Sequence, residues 1–356
     1  MAKIRVLVVD DAVVFRRLVA DELAKDAALE VVGTAANGRI GLAKLAQLNP
    51  DVVVLDVEMP EMDGLQMLRE LRKSYRRLPV IMFSSLTERG AAETLDALAL
   101  GASDYFTKPA SAKGMDASLE VVRQQLIPQI KALHEGARKG PAPKAVAGAD
   151  AAAPRVDSGH EVRIIAIGAS TGGPSALAEI FPRLPRDLSV PIVLVQHMPP
   201  MFTRLLAERL TAQSSIRVQE GASGSLLQAG QAYIAPGDNH MAVVYDGTSQ
   251  RLLVHQDPPV NSCRPAVDVL FRSVAKVFGA HALAVLLTGM GHDGVRGCEA
   301  VREASGRIIV QDEASSVVWG MPGYVAKAGL ADRIMPVSMI ADEIIRRVQQ
   351  PCAAKR

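Results

Sequence analysis

The chain has 356 residues, 49% hydrophobic and 22% charged, which is enough apolar material for two or three packed domains and excludes disorder along the whole length. Lys and Arg number 40 against 38 Asp and Glu, and a net charge of +2 argues against an electrostatic nucleic-acid binder. Cys263, Cys298 and Cys352 are odd in number and lack paired metal-type spacing, so they exclude a disulfide scaffold and fit a reducing cytoplasm.

No apolar run approaches the ~18–20 residues that span a bilayer, so no membrane insertion is expected. Met1-Ala2-Lys3-Ile4-Arg5 leads straight into a strand-like run, so no signal peptide is expected either. Ile4–Asp10, Leu29–Ala35, Asp51–Asp56, Pro79–Ser85 and Asp104–Lys108 read as strands. They are short, β-branched and mostly continuously apolar, as strands covered on both faces must be. Amphipathic segments near 13–25, 37–48, 64–73 and 90–100, and a fifth from about Met115 to His134, read as helices. Residues 1–135 are therefore predicted to form a flavodoxin-like (βα)5 domain.

Residues 136–160 change character. Eight are Ala and three are Pro, none is aromatic, and no hydrophobic period survives. Such a segment buries too little apolar surface to offset its ordering entropy, so it reads as a flexible linker. The βα pattern resumes over 161–350. Strands are predicted at Arg163–Ala169, Pro191–His197, Ile216–Glu220, Ala232–Ala235, His240–Tyr245, Arg251–His255, Ala282–Leu287, Arg307–Gln311 and Arg333–Pro336. Helices fall near 174–181, 202–213, 265–278, 295–304 and 339–349. Strands around 232–255 follow one another without helical spacers, which predicts an antiparallel hairpin inserted in a doubly wound, mostly parallel sheet.

In the first half, chemistry-bearing residues collect at strand ends. Asp10 and Asp11 end the first strand and Asp56 the third. Ligands of doubly wound sheets gather outside the carboxyl ends of strands. Converging carboxylates repel unless a cation joins them, and an oxygen-only set suits Mg²⁺. Ser84 ends the fourth strand and Lys108 the fifth, placing a hydroxyl and an ammonium at the same rim. The Lys108–Pro109 bond is a candidate for the cis form, which would aim the lysine inward. Taken singly, each strand-end Asp is equally a turn former or helix cap.

This region resembles the receiver domain of two-component response regulators, through Val8–Asp11 (VVDD), Leu55–Gly64 (LDVEMPEMDG), Ser84 and Thr107–Pro109 (TKP). The resemblance implies Asp56 as phosphoacceptor. It implies Asp10, Asp11 and Asp56, with the Val57 carbonyl, as Mg²⁺ ligands. It also implies Ser84 as the switch hydroxyl, Lys108 as the phosphate-pairing lysine and Tyr105 as the rotamer-switch aromatic. Asp56 would then take a phosphoryl group from a histidine kinase.

In the second half, Ile167–Pro174 (IGASTGGP) lies between a strand and a helix, with Ser170 at the turn. The free N–H groups of that helix point toward the serine region, a site for a developing oxyanion. A serine needs a base within hydrogen-bond reach. His197 ends the next strand in a simple βαβ order. Asp293 follows the strand Ala282–Leu287 and is placed to orient an imidazole. The run Gly168–Gly172 formally satisfies G-x-S-x-G, but the order Ser, His, Asp is not that of α/β-hydrolases. A Rossmann-type phosphate loop is the competing reading, though no clear G-x-G-x-x-G is present. His292 has no third ligand spaced to make a metal site with Asp293. His240 and His255 read as strand-surface residues.

Residues 162–349 resemble the catalytic domain of chemotaxis protein-glutamate methylesterases. The shared stretches are IGASTGGP, Gln196–Thr203 (QHMPPMFT), Ile234–Met241 (IAPGDNHM), Cys263–Phe271 (CRPAVDVLF), Leu286–Gly294 (LLTGMGHDG) and Val317–Pro322 (VVWGMP). The resemblance implies Ser170 as nucleophile, His197 as general base and Asp293 as its orienting acid. It implies the Met290 N–H as an oxyanion donor and Thr171 as a supporting hydroxyl. No cofactor is implied for the esterase. The implied reaction is hydrolysis of glutamate methyl esters, and deamidation of glutamines, on methyl-accepting chemotaxis receptors. The implied phosphodonor is a chemotaxis histidine kinase and the implied location is the cytoplasm. A receiver that covers the Ser170 site until Asp56 is phosphorylated is the economical reason for joining the two halves. A non-enzymatic regulator with a partner-binding second domain is the alternative, and a DNA-binding output domain a third.

Overall fold

A computed structural model describes residues 2–85, 87–108, 115–139 and 160–349. The chain divides into two compact units on either side of residue 140, and each is described by itself.

In the first unit the strands are β1 (Ile4–Val9), β2 (Leu29–Ala35), β3 (Val52–Asp56), β4 (Val80–Ser84) and β5 (Asp104–Thr107). They alternate with α1 (Val13–Leu23), α2 (Gly38–Leu48), α3 (Gly64–Ser74) and α4 (Glu88–Ala99), and end on α5 (Met115–Val121) and α6 (Ile127–Lys139). One π turn, Val122–Leu126, joins α5 to α6. The sheet order is β2-β1-β3-β4-β5 and every pairing is parallel. Helices α2, α3 and α4 pack in one row, while α1 packs against α5 and the π turn. Val52–Asp56 and Val80–Ser84 are buried throughout, which explains their unbroken apolar runs. The loop after β3 is closed by a capping box: Asp63 accepts from the Gln66 N–H while the Gln66 side chain accepts from the Asp63 N–H. Helix α6 continues through Lys139, past the predicted helix end at His134. Residues 140–159, and Pro109 with its proposed cis bond, lie outside the described residues.

In the second unit β6 (Ile164–Ala169), α7 (Gly173–Ile180), β7 (Ile192–Gln196) and α8 (Pro200–Gln213) follow in order. Next come β8 (Arg217–Glu220), β9 (Gln231–Ile234), β10 (His240–Tyr245), β11 (Gln250–His255) and α9 (Val267–Phe278). The unit closes with β12 (Ala282–Leu286), α10 (Val295–Glu303), β13 (Arg307–Gln311), α11 (Met321–Lys327), β14 (Arg333–Met335) and α12 (Val337–Gln349). Seven strands order β14-β13-β12-β6-β7-β9-β8, parallel throughout. The hairpin β10–β11 is antiparallel as expected, but it stands as a separate two-stranded sheet. Helices α9, α10 and α11 pack in one group, and α7 contacts α8 and α12. Phe271, Leu270 and Val274 of α9 enter one continuous core with Ile164, Val195, Ala284 and Val310 of the sheet. The chain leaves β6 toward β7 on one side and returns through β12 on the other. The carboxyl ends of β6, β7 and β12 thus form the switch-point crevice of a doubly wound sheet.

Candidate active site

At the carboxyl edge of the first sheet, Lys108 reaches Asp10 Oδ2 at 2.8 Å and Asp56 Oδ2 at 2.7 Å. Carboxylate oxygens of Asp10, Asp11 and Asp56 all lie within 4.8 Å of one another. Asp10 and Asp56 are buried while Asp11 is exposed, so the cluster opens to solvent on one side. Burial pushes the Asp56 carboxyl up to about 6, opposed by Lys108 and reinforced by the neighbouring Asp10. Burial likewise raises Asp10. One ammonium leaves this carboxylate cluster short of positive charge, and its oxygen-only donors fit a hard divalent cation. An open cleft beside it, lined by Asp11, Val57, Glu58 and Arg89, has a volume of about 450 Å³.

The other predicted residues of this edge are placed differently. The Ser84 hydroxyl is fully buried, accepts from Thr94 Oγ1 at 2.7 Å and lies 3.2 Å from the Gly90 carbonyl. It faces the first turns of α4 rather than Asp56. Tyr105 is partly buried, its phenol is raised well above the ordinary value by burial, and its carbonyl accepts from Gln129 Nε2 at 3.0 Å. The Val57 carbonyl accepts from the Gly64 N–H at 2.9 Å.

In the second unit the turn after β6 is built by small residues. Gly172 sits at φ 76°, a conformation that favours glycine, and begins α7 with Pro174 in its first turn. Ser170 is half-buried, and its N–H donates to the Thr288 carbonyl at 3.0 Å. The Thr288 hydroxyl donates to the Thr171 carbonyl at 2.9 Å, tying the serine turn to the loop after β12. Gln196 Nε2 holds the Ser170 carbonyl at 3.0 Å. A Cβ on Gly289 would stand 2.8 Å from the Ser170 Cβ, so only glycine lets that loop lie against the serine. The next N–H, that of Met290, donates to no acceptor among the described residues. Thr171 is buried, and its carbonyl is the acceptor of that Thr288 bond.

His197 follows β7 and its Nε2 lies 2.9 Å from Asp293 Oδ2. Asp293 is buried and heavily solvated by donors. Its oxygens accept from the N–H groups of Val267 at 2.7 Å, Asp268 at 3.1 Å and Gly294 at 3.0 Å, and from Asn261 Nδ2 at 2.9 Å. Burial alone would raise this carboxyl; the His197 ring and these donors outweigh it and hold Asp293 below the ordinary carboxylate value. For His197 the balance falls the same way, toward the charged form. Burial disfavours the charged ring, but Asp293 and Cys263 lift it up to about 10. The Ser170 hydroxyl makes no hydrogen bond to His197 here. Instead His197 Nδ1 lies 3.7 Å from Cys263 Sγ. The three predicted residues therefore share one sheet edge, with one direct contact, His197–Asp293.

Two residues that support this pair, Asn261 and Asp268, escaped the sequence reading. Asn261 and Ser262 both have positive φ, 53° and 61°, in a turn closed by reciprocal Val260 and Cys263 backbone bonds. That turn aims Asn261 between two buried carboxylates, 2.8 Å from Asp268 Oδ2 and 2.9 Å from Asp293 Oδ1. Asp268 in turn accepts from the N–H groups of Gly294 and Gly297, fixing the start of α10. The only sequence signal was an Asn-Ser pair, which tolerates such turns, followed by the shared stretch CRPAVDVLF. His240, read as a strand-surface residue, is fully buried and meets the His255 ring at 5.4 Å between centroids. His292 stacks edge-on against Tyr324 and takes no part in the site.

Residues 165–344 match the CheB methylesterase family, and residues 6–120 match the response regulator receiver domain. The chain belongs to the CheB methylesterase family. A protein-glutamate methylesterase/protein-glutamine glutaminase of Trichodesmium erythraeum is 51% identical over 98% of this chain and 100% of its own. One of the same name from a Nocardioides species is 50% identical over 98% and 96%. The catalytic domain of the Thermotoga maritima CheB methylesterase aligns with a TM-score of 0.51 at 39% identity. It covers 52% of this chain and 99% of its own. No described helix is long and apolar enough to cross a membrane.

Proposed function

We propose that this chain is a phosphorylation-regulated serine hydrolase of the cytoplasm. It removes methyl groups from glutamate esters on methyl-accepting chemotaxis receptors, and it deamidates their glutamines. The observation that carries the reading is the His197–Asp293 pair, held at 2.9 Å on the edge where Ser170 lies against the Gly289 loop.

In this reading the Ser170 hydroxyl attacks the ester carbonyl and His197 Nδ1 takes its proton, Nε2 being committed to Asp293. Asp293, kept ionised by its donors, stabilises the imidazolium that forms. The free Met290 N–H is placed to donate to the oxyanion, a contribution of roughly 3–4 kcal/mol per donor. Methanol leaves with the proton from His197, and water then releases glutamate from Ser170. A glutamine side chain loses ammonia and gives the same acyl-enzyme. With its Nδ1 facing Cys263 the ring does not serve Ser170, so the productive site requires an unprotonated Nδ1 turned to the serine instead. Hydrogen bonds of this kind often tighten only when substrate is bound.

Residues 1–139 act as the receiver, the stretch that follows, up to residue 160, as the tether and 161–350 as the hydrolase. Asp56 is the phosphoacceptor for a chemotaxis histidine kinase. Asp10, Asp11, Asp56 and the Val57 carbonyl would hold Mg²⁺, which neutralises charge on a transferring phosphoryl group. Lys108 already touches Asp56 and is placed to pair with the phosphate. The Ser84 hydroxyl would have to leave its Thr94 partner to join it, which gives the switch a definite starting state. The unphosphorylated receiver restrains the hydrolase, and phosphorylation of Asp56 relieves that restraint.

Methanol release from methylated receptor membranes, with and without a phosphodonor and Mg²⁺, tests the reading. Release that rises with the phosphodonor and disappears in Ser170→Ala supports it; full release by folded Ser170→Ala overturns it. Deleting residues 1–135 should raise the basal rate, and an unchanged or lower rate would count against restraint by the receiver.

A further inference from the structure

In the hydrolysis just described Cys263 carries no step, although its sulfur faces the ring nitrogen that acts as base. Cys263 is half-buried and reachable from solvent, unlike Cys298, which lies fully buried in the core. Its Sγ stands 3.7 Å from His197 Nδ1, and on the far side of the ring Nε2 bonds Asp293. Ligand atoms of Cys263, His197 and Asp293 fall within 4.8 Å of one another. A tetrahedral zinc ion bound to a thiolate and an imidazole separates S from N by about 3.6 Å, given ordinary Zn–S and Zn–N lengths. Zinc-bound histidines usually donate their second ring N–H to a carboxylate, the relation that Asp293 already has to His197. The Asn261–Ser262 turn, fixed at both ends by backbone bonds, holds the sulfur in place without a metal.

We infer that Cys263 Sγ and His197 Nδ1 form a binding site for Zn²⁺, with Asp293 supporting the ring, and that zinc there switches the hydrolase off. The inhibitory half rests on the proposed role of His197 as base; the binding half does not. Coordination takes up the nitrogen that would otherwise receive the Ser170 proton. The Cys263 thiol proton, and any proton on Nδ1, passes to solvent as the metal binds. Two protein ligands leave the remaining positions to water. A soft thiolate with an imidazole favours zinc over magnesium, whereas the receiver's oxygen-only cluster suits magnesium and is filled by it when magnesium is in large excess.

The test uses the full chain in excess Mg²⁺, which occupies the receiver acids. Zinc chloride is titrated against methanol release, and cobalt chloride against the sulfur-to-cobalt charge-transfer absorption. The expected result is at least a tenfold loss of rate at saturating zinc, reversed by a chelator, and a cobalt–sulfur band. Each variant is compared with its own metal-free rate. Cys263→Ser should need at least tenfold more zinc and lose the band, and His197→Gln should weaken the band whatever its activity. No band in the parent, or a Cys263→Ser variant as zinc-sensitive as the parent, overturns the site. A band without loss of rate overturns the inhibition and speaks against Nδ1 as the proton acceptor, while leaving the metal ligands standing.

Discussion

The two units place buried carboxylates at the same location, the carboxyl edge of a parallel sheet, and treat them in opposite ways. In the first, Asp10 and Asp56 share one ammonium beside Asp11, and burial drives Asp56 up to about 6. In the second, Asp293 is just as buried but receives three backbone N–H groups, an amide and an imidazole, and is held below the ordinary value. Burial is common to both; the count of donors decides the sign. The first edge is short of positive charge and suited to a metal and a phosphoryl group. The second is compensated in advance and suited to steadying a proton on its neighbour.

Four changes would break or sharpen that contrast. The largest effect is expected from Asp293→Asn, which keeps the shape but removes the charge facing His197. By analogy with triads elsewhere, kcat for methyl-ester hydrolysis should fall on the order of 10⁴-fold. Steady-state rates on methylated receptor membranes check this, and a loss under tenfold would remove Asp293 from the mechanism. Asp56→Asn should abolish stimulation by a small-molecule phosphodonor and leave the unstimulated rate in place; stimulation that survives would move the phosphoacceptor elsewhere.

Asn261→Ala leaves two buried carboxylates each one donor short, at roughly 1–3 kcal/mol, so activity should drop about tenfold to a hundredfold. The same variant should unfold at higher pH on acidification. Asp293 titrates below its unfolded value, so its bonds stabilise the fold above that value and the contribution fades as pH falls through the folded one. A circular-dichroism acid titration reads the shift. The smallest effect concerns the pH profile. His197 is lifted up to about 10, so kcat/KM in chelator-treated enzyme should climb from neutral pH toward that value as the ring loses its proton. Cys263→Ser removes one of the groups that lift it and should move the rising limb to lower pH. An unmoved limb would show that the thiol does not act on the ring.

Much of this was legible from periodicity. The nine strands expected in the second unit and five in the first all form, most within a residue of their predicted ends, because short β-branched runs between helical patterns have few other ways to pack. Ser170, His197 and Asp293 could be singled out because strand ends of a doubly wound sheet converge. What escaped lies where no period operates. Cys263 and Asn261 sit in the connection from β11 to α9, whose path depends on two left-handed residues that composition alone does not announce. Helix α11 was missed because Gly320-Met321-Pro322-Gly323 reads as a turn, although Pro322 is tolerated in its first turn. The hairpin was legible as a hairpin, but not its separation from the main sheet, which is set by packing against α9.

The central claim is that Ser170 is the nucleophile served by His197, and covalent labelling tests it most directly. Treatment with a serine-directed fluorophosphonate, followed by peptide mass spectrometry, should place a single adduct on Ser170, and His197→Gln should slow its formation severely. An unlabelled Ser170 in active enzyme, or an adduct elsewhere that tracks the loss of activity, would contradict the account.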